Sequence, residues 1–169
     1  MLARWLAEQE AAPLVRGPLD GHTVDHHRVV LGRGRDVFRR AAAALRRWEM
    51  FHLGWVDLVP PSAPQRVGTT VAVVVRHLGF WSLNPSRIVE CIDEPERAGF
   101  VYRTLPDHAV DGEEQFLVAR EPDDRVVYDL MAHSRPRHLL ARLGSPVARV
   151  IQRRFARDSM RAMRAAVEG

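Results

Sequence analysis

Five residues between positions 102 and 114 carry side chains that could do acid–base chemistry or hold a polar ligand. They are Tyr102, Thr104, His108, Glu113 and Glu114. Alternate side chains of a β-strand share a face, so Tyr102 lies with Thr104, and Glu114 lies with Phe116. If Phe116 points into a core, Glu114 does too, and a carboxylate removed from water requires a partner.

Two interpretations of the glutamates remain open. A buried carboxyl group with a raised pKa beside His108 forms a candidate acid–base pair, with Arg76 or Arg87 as a possible positive partner. The simpler alternative, which we favour, is that Glu113 or Glu114 forms a structural salt bridge closing the preceding loop. The sequence does not decide which of the two glutamates faces inward.

A second set of residues is suited to binding a small molecule. Aromatic walls bind the apolar body of such a ligand, while an Arg, Asn or hydroxyl group holds its polar head. The candidate ligand-binding residues are Trp55, Arg76, Trp81, Asn84, Arg87, Tyr102 and Thr104. For any single aromatic residue, an ordinary packed core is the alternative.

Other chemistries have little support in the sequence. The single cysteine, Cys91, excludes an internal disulfide and a Cys-based zinc site. His26 and His27 are adjacent in a predicted strand and face opposite ways, so they do not bind one ion together. The chain has no lysine, which excludes Schiff-base chemistry. We predict neither a metal site nor a cofactor.

The hydrophobic periodicity predicts the elements that position these residues. Residues 2–6 and 38–48 have helical spacing, and residues 28–31 form a short strand. Further strands are predicted at 51–59, 69–75, 81–92 with a kink or bulge at Asn84-Pro85, 100–105, 113–120 and 126–133. Apolar residues from Val147 to Met163 recur every four positions, which indicates a long helix. This order predicts an α+β helix-grip fold, in which a curved antiparallel sheet wraps around the C-terminal helix and leaves a cavity.

Length and composition bound the organisation of the chain. With 169 residues, 46% of them hydrophobic and 27% charged, the sequence suits one globular domain at 1–169. Within it we expect an N-terminal helix and lead-in at 1–20 and a helix-grip core at 28–167. No apolar run is long enough to span a membrane, and the N-terminus lacks a signal peptide, so we expect a cytoplasmic protein. The oligomeric state is not predictable.

The net charge is +4, and all 25 basic residues are arginines. Nine arginines but only one acidic residue, Asp158, lie between Arg135 and Arg164. These arginines follow the outer face of the predicted helix and no aromatic residues interleave them, so a solvated face is favoured. We do not expect a nucleic-acid partner.

From about Leu31 to Met163, an ordered set of local patterns resembles a known family. The patterns are Leu31-Gly32-Arg33-Gly34, Trp48, Trp55, Gly68-Thr69, Arg76-His77-Leu78-Gly79, Asn84-Pro85-Ser86-Arg87, the block from Phe100 to Phe116, Ser134-Arg135-Pro136 and Gln152 through Phe155. The chain resembles uncharacterised protein family 0548, a domain of unknown function found in bacteria and plants. The resemblance implies a START-like helix-grip fold (SRPBCC, Bet v 1-like) and brings no established activity.

Together these observations give two functional hypotheses. The first is a binding module that holds a hydrophobic or amphipathic small molecule, such as a lipid, in a cavity between sheet and helix. The alternative is an enzyme of hydrolase, cyclase or isomerase type that acts in the same cavity through His108 and Glu114.

Overall fold

The computed structural model describes residues 2–14, 19–77, 79–136 and 145–169. Three α-helices, one 3₁₀ turn and seven β-strands make up this part of the chain. In chain order they are α1 (Leu2–Ala11), β1 (Thr23–Arg33), α2 (Arg35–Arg46), the 3₁₀ turn (Glu49–Phe51), β2 (Val56–Val59), β3 (Thr70–His77), β4 (Phe80–Glu94), β5 (Arg97–Thr104), β6 (Val110–Arg120), β7 (Arg125–Pro136) and α3 (Ser145–Glu168). None of the described helices is both long and apolar enough to cross a membrane.

All seven strands belong to one antiparallel curved sheet. Its strand order is β1-β7-β6-β5-β4-β3-β2, so β2 to β7 form a meander and β1 closes onto β7. This pairing of β1 with β7 extends from Thr23 opposite Ser134 to Arg33 opposite Arg125. The first strand in the sequence therefore lies beside the last, and residues of β1 share a face with those of β7 and β6.

The core lies between the concave face of the sheet, α2 and the C-terminal part of α3. The side chains of Trp48, Phe51, Phe100 and Phe116 are buried there in a connected aromatic cluster, with the rings of Phe100 and Phe116 stacked at 5.0 Å. The indole of Trp48 donates a hydrogen bond of 2.8 Å to the backbone oxygen of Ala63. Burial of such large apolar side chains provides the main driving force for folding.

A buried polar contact joins α3 to the sheet. The Tyr128 hydroxyl on β7 and the Ser159 hydroxyl on α3 lie 2.9 Å apart, and both residues are fully buried. Small side chains such as Ala156 and Ala166 let the helix approach its neighbours closely. The contact sets the position of the helix along the strand.

Helix α1 lies on the opposite, convex face of the sheet. The guanidinium group of Arg87 on β4 donates hydrogen bonds to the backbone oxygens of Gln9, Glu10 and Ala12 at 2.6, 2.8 and 3.1 Å. Carbonyl groups at a helix C-terminus lack partners within the helix, and a cation there also complements the helix dipole. Arg87 therefore fixes the C-terminal end of α1 on the sheet.

The predicted α+β helix-grip fold is confirmed, with three local differences. Strand β1 begins at Thr23 rather than residue 28, because its pairing with β7 continues past the β-branched run. Phe51 lies in the 3₁₀ turn rather than in a strand, because Trp48 adopts a left-handed conformation (φ 61°) after α2. The register irregularity in β4 lies between Ile88 and Glu90 rather than at Asn84-Pro85, which pairs regularly with β3.

Candidate functional site

A cavity of about 670 Å³ lies between the concave face of the sheet and α3. All seven strands, the 3₁₀ turn and the N-terminal half of α3 contribute to its lining. Its walls are mostly apolar and aromatic; examples are Phe51, Trp55, Val73, Val75, Leu130 and Phe155.

Glu114 is the central polar group of the cavity. It pairs with Tyr102 across β5 and β6, and the Tyr102 hydroxyl donates a hydrogen bond of 2.5 Å to Oε2 of Glu114. Although part of the residue's surface opens to the cavity, protein surrounds the carboxyl group. The pKa of Glu114 is raised to about 7. Burial is the main cause and the charge of Asp25 adds to it, while the Tyr102 hydrogen bond acts in the opposite direction. Burial and the adjacent carboxylate also raise the pKa of Tyr102 well above its ordinary value.

Asp25 reaches the same part of the cavity from β1. The register places Asp25 opposite Ala132, and Ala132 opposite Glu114, so the two acidic residues flank an alanine on one face. Asp25 is half-buried and lines the cavity. Two carboxyl groups therefore border a small gap above Ala132.

Hydroxyl and amide groups line the next row of the sheet. The Thr104 hydroxyl accepts a hydrogen bond from the Gly112 backbone N–H at 2.9 Å and donates one to the Gly112 oxygen at 3.3 Å. A side chain at Gly112 would meet the His133 backbone oxygen within 2.0 Å, so glycine is required there. The Asn84 amide donates to the Val73 backbone oxygen at 3.1 Å.

His108 also lines the cavity, from the loop between β5 and β6. Its Nδ1 accepts a hydrogen bond of 3.1 Å from the Val110 backbone N–H. This hydrogen bond orients the imidazole ring of His108. His108 and Glu114 both contribute to the lining of this cavity.

Trp55 forms part of the wall near α3. Its indole donates a hydrogen bond of 3.1 Å to Oδ2 of Asp158, and the guanidinium group of Arg154 lies 4.3 Å from its ring centre. Both contacts fix the ring against the helix, and the cation–π contact adds attraction. The wall is thereby held in place before any ligand binds.

Of the candidate ligand-binding residues, the structure brings Trp55, Asn84, Tyr102 and Thr104 to the cavity and leaves three outside. Arg76 is exposed, pairs with Asp57 at 2.9 Å, and lies over the ring of Trp81 at 4.4 Å. Trp81 is itself 62% exposed on the outer face. Arg87 binds the end of α1 on that same face. Neither arginine is the partner of Glu114, because Tyr102 occupies that position.

Glu113 and Glu114 have separate roles. The Arg103 guanidinium group, almost fully buried, donates a hydrogen bond of 3.0 Å to Oε1 of Glu113 and lies 3.8 Å from Asp111. The salt bridge expected of one glutamate is therefore made by Glu113. Glu114 is bonded to Tyr102 instead, and both glutamates contribute to the lining of the cavity.

The sequence did not single out Asp25, His27 or Phe155 as site residues. Their place in the lining depends on the pairing of β1 with β7 and on the position of α3. The spacing of Asp25 and His27, two residues apart, is the one local signal that both share a face. Within the described part of the chain, no group of three or more His, Cys, Asp and Glu side chains is placed to hold a metal ion.

Solved structures similar to this chain share its fold at low sequence identity. The Zhui aromatase/cyclase from Streptomyces sp. R1128 is 15% identical with a TM-score of 0.61, over 87% of this chain and 94% of that one. Norcoclaurine synthase from Thalictrum flavum is 12% identical with a TM-score of 0.57, over 87% and 95%. These neighbours establish the Bet v 1-like helix-grip architecture and no more.

Sequence comparison gives closer relatives. A UPF0548 protein of Deinococcus radiodurans is 42% identical over 160 residues, covering 85% of this chain and 80% of that protein. A UPF0548 protein of Dictyostelium discoideum is 37% identical over 156 residues, covering 85% and 72%. The family described as "Domain of unknown function (DUF1990)" matches residues 6–162. The chain therefore belongs to the DUF1990 family, and it is similar to the UPF0548 proteins.

Proposed function

We propose that the protein binds a hydrophobic or amphipathic small molecule in the cavity between its sheet and α3. The observation that carries the proposal is the cavity itself, whose volume of about 670 Å³ falls within the range of small-molecule sites. Its walls are largely apolar, and polar side chains such as Asn84, Tyr102 and Glu114 lie among them. This combination favours a ligand with an apolar body and a polar head.

The polar residues of the cavity have defined parts in this proposal. Tyr102 and Glu114 form one hydrogen-bonded pair, and Thr104 and Asn84 present further polar groups beside it. Trp55 acts as an aromatic wall. A norcoclaurine synthase of similar fold has been solved in complex with dopamine and hydroxybenzaldehyde, which supports small-molecule binding in this architecture.

Native mass spectrometry of the purified protein tests the proposal directly. We expect a non-covalent adduct of small-molecule mass that is lost on mild denaturation and can then be identified. A fluorescent apolar dye should also bind, and Val75→Phe should weaken its binding because Val75 lines the cavity. The matched control is Val24→Phe, at a valine 53% exposed on the outer face of β1, which should bind the dye as the wild type does. Equal dye binding by both variants would contradict the proposal.

One observation favours the enzyme hypothesis as a second candidate. His108 and Glu114 line the same cavity, and a carboxyl group with a pKa of about 7 can both take up and release a proton at neutral pH. Incubating the protein with a cell extract of small molecules, followed by mass spectrometry, should then reveal a substrate that disappears and a product that forms. The conversion should be lost in Glu114→Gln and kept in the exposed variant Glu90→Gln.

A further inference from the structure

Two acidic residues of the cavity lining, Asp25 and Glu114, lie in one row of the sheet, and their arrangement suggests the charge of the ligand. We infer that the cavity binds a protonated amine with an apolar body, whose ammonium group lies between Asp25 and Glu114. The inference rests on the proposed function and specifies its ligand class.

The register of three adjacent strands defines the space for the ammonium group. Asp25, Ala132 and Glu114 are successive partners across β1, β7 and β6, and all three line the cavity. Neighbouring strands are about 4.8 Å apart, so the backbones of the two acidic residues are separated by roughly 10 Å. Ala132, between them, has only a methyl group. A gap bordered by two carboxyl groups is thus left above it.

The hydrogen-bond partner of Glu114 within the protein is a neutral hydroxyl group. Tyr102 donates its hydroxyl hydrogen to Oε2 of Glu114, and among the described residues no guanidinium group forms an ion pair with Glu114. A hydroxyl group provides one hydrogen bond but no positive charge. Removal from water and repulsion from Asp25 both oppose ionisation of Glu114 and raise its pKa. An ammonium group would supply the missing positive charge to both carboxylates.

The rest of the cavity suits the apolar body of such an amine. Phe51, Trp55 and Phe155 form an aromatic wall, and Val73 and Val75 of β3 also line the cavity. An acidic ligand would need a cation instead. The arginines of the lining, Arg149 and Arg153, are on α3, both are exposed, and they do not belong to the sheet row that holds Asp25 and Glu114.

Three probes test the inference: naphthylethylamine, naphthylethanol and naphthylpropionic acid, which share a naphthylethyl body and carry a cationic, a neutral and an anionic head group. Each is titrated into the full chain at neutral pH, and binding is followed by naphthalene fluorescence. We expect the amine to bind about tenfold or more tightly than the alcohol, because charged hydrogen bonds are stronger than neutral ones. The acid should bind weakest of the three.

Substitutions of the two acidic residues test whether they cause the preference for the amine over the alcohol. Glu114→Gln should reduce the preference for the amine over the alcohol to about threefold or less. Asp25→Asn should reduce the preference as well, and it provides a second test if the first variant folds poorly. Glu90→Gln, at an exposed glutamate of β4, is the control and should keep the full preference.

The possible results separate this inference from the proposed function. Equal binding of amine and alcohol, or tighter binding of the acid, would overturn the amine inference while the cavity still qualified as a binding site. Failure of all three probes to bind would overturn both. A preference for the amine that persists in both Glu114→Gln and Asp25→Asn would also overturn the inference. The ammonium group would then be bound by residues other than these two.

Discussion

The hydroxyl of Tyr102 lies 2.5 Å from Oε2 of Glu114 on the neighbouring strand. Two opposing effects meet at this contact: burial raises the pKa of Glu114, and the donated hydrogen bond lowers it by favouring the ionised form. The outcome, a pKa of about 7, leaves the carboxyl group balanced between its two states at neutral pH. The charge of Glu114 in the cavity therefore depends on both its burial and the Tyr102 hydrogen bond.

Tyr102→Phe should raise the pKa of Glu114 further. The substitution removes the donated hydrogen bond and leaves burial and the charge of Asp25 in place. The titration can be followed by NMR of the carboxyl carbon of Glu114 after ¹³C labelling. Tyr128→Phe is the matched control, because the Tyr128 hydroxyl bonds to Ser159 and not to Glu114. An unchanged pKa in Tyr102→Phe would show that the hydroxyl does not stabilise the carboxylate.

Glu114 should make the folded protein less stable as the pH rises. Its pKa is about 7 in the folded state and 4.5 ordinarily, so between these values the folded state binds more protons than the unfolded state. The free energy of unfolding therefore falls as the pH rises from 4.5 to 7, and the whole penalty is present above 7. Its upper bound is about 3 kcal/mol, at about 1.4 kcal/mol per pKa unit.

Glu114→Gln tests this dependence, because glutamine still accepts the Tyr102 hydrogen bond but cannot ionise. We expect the variant to be about 1–3 kcal/mol more stable than the wild type at pH about 8, and close to it at pH about 5, by urea unfolding. Glu113→Gln provides the contrast. It should destabilise the protein at both pH values, because Arg103 stays buried with a weakened partner. A stability difference for Glu114→Gln that is independent of pH would contradict the argument.

Much of the fold could be predicted from local pattern alone. The amphipathic helices and short-looped strands indicated a meander around a long helix, because hydrophobic periods of 3.6 and 2 report directly on which face is buried. The grouping of Tyr102 with Thr104 on the cavity face followed from the same alternation. The pairing of Tyr102 with Glu114 did not, since it depends on the register of β5 and β6, and loop length alone does not define it.

The misplaced site residues show what alternation can and cannot decide. Asn84 faces the cavity, and Trp81 and Arg87 are each three positions from it in a regular part of β4, so they face outward. That exclusion was available from the sequence once Asn84 was taken to face inward. Asp25 is different, because its place beside Glu114 depends on β1 pairing with β7, more than 100 residues away. No local pattern carries such long-range information.

Arg87→Ala should release α1 while leaving the cavity unchanged. The substitution removes three hydrogen bonds to the backbone oxygens of Gln9, Glu10 and Ala12, and a short helix has little stability without tertiary contacts. Hydrogen exchange measured by mass spectrometry should show faster exchange across residues 2–11, with dye binding as in the wild type. Arg76→Ala, an exposed arginine on the same face, should leave that exchange unchanged. If residues 2–11 of Arg87→Ala exchange as slowly as in the wild type, contacts other than those of Arg87 hold α1 on the sheet.

The Tyr128–Ser159 contact should behave as a coupled pair. Both residues are fully buried and their oxygens lie 2.9 Å apart, so removing one partner leaves the other without its hydrogen bond in an apolar site. We expect Tyr128→Phe and Ser159→Ala each to lower the free energy of unfolding by about 1–3 kcal/mol. The double variant should lose clearly less than the sum, because no unpaired hydroxyl then remains. Urea unfolding of the four proteins gives the coupling energy, and strict additivity would show that the contact does not hold α3 on the sheet.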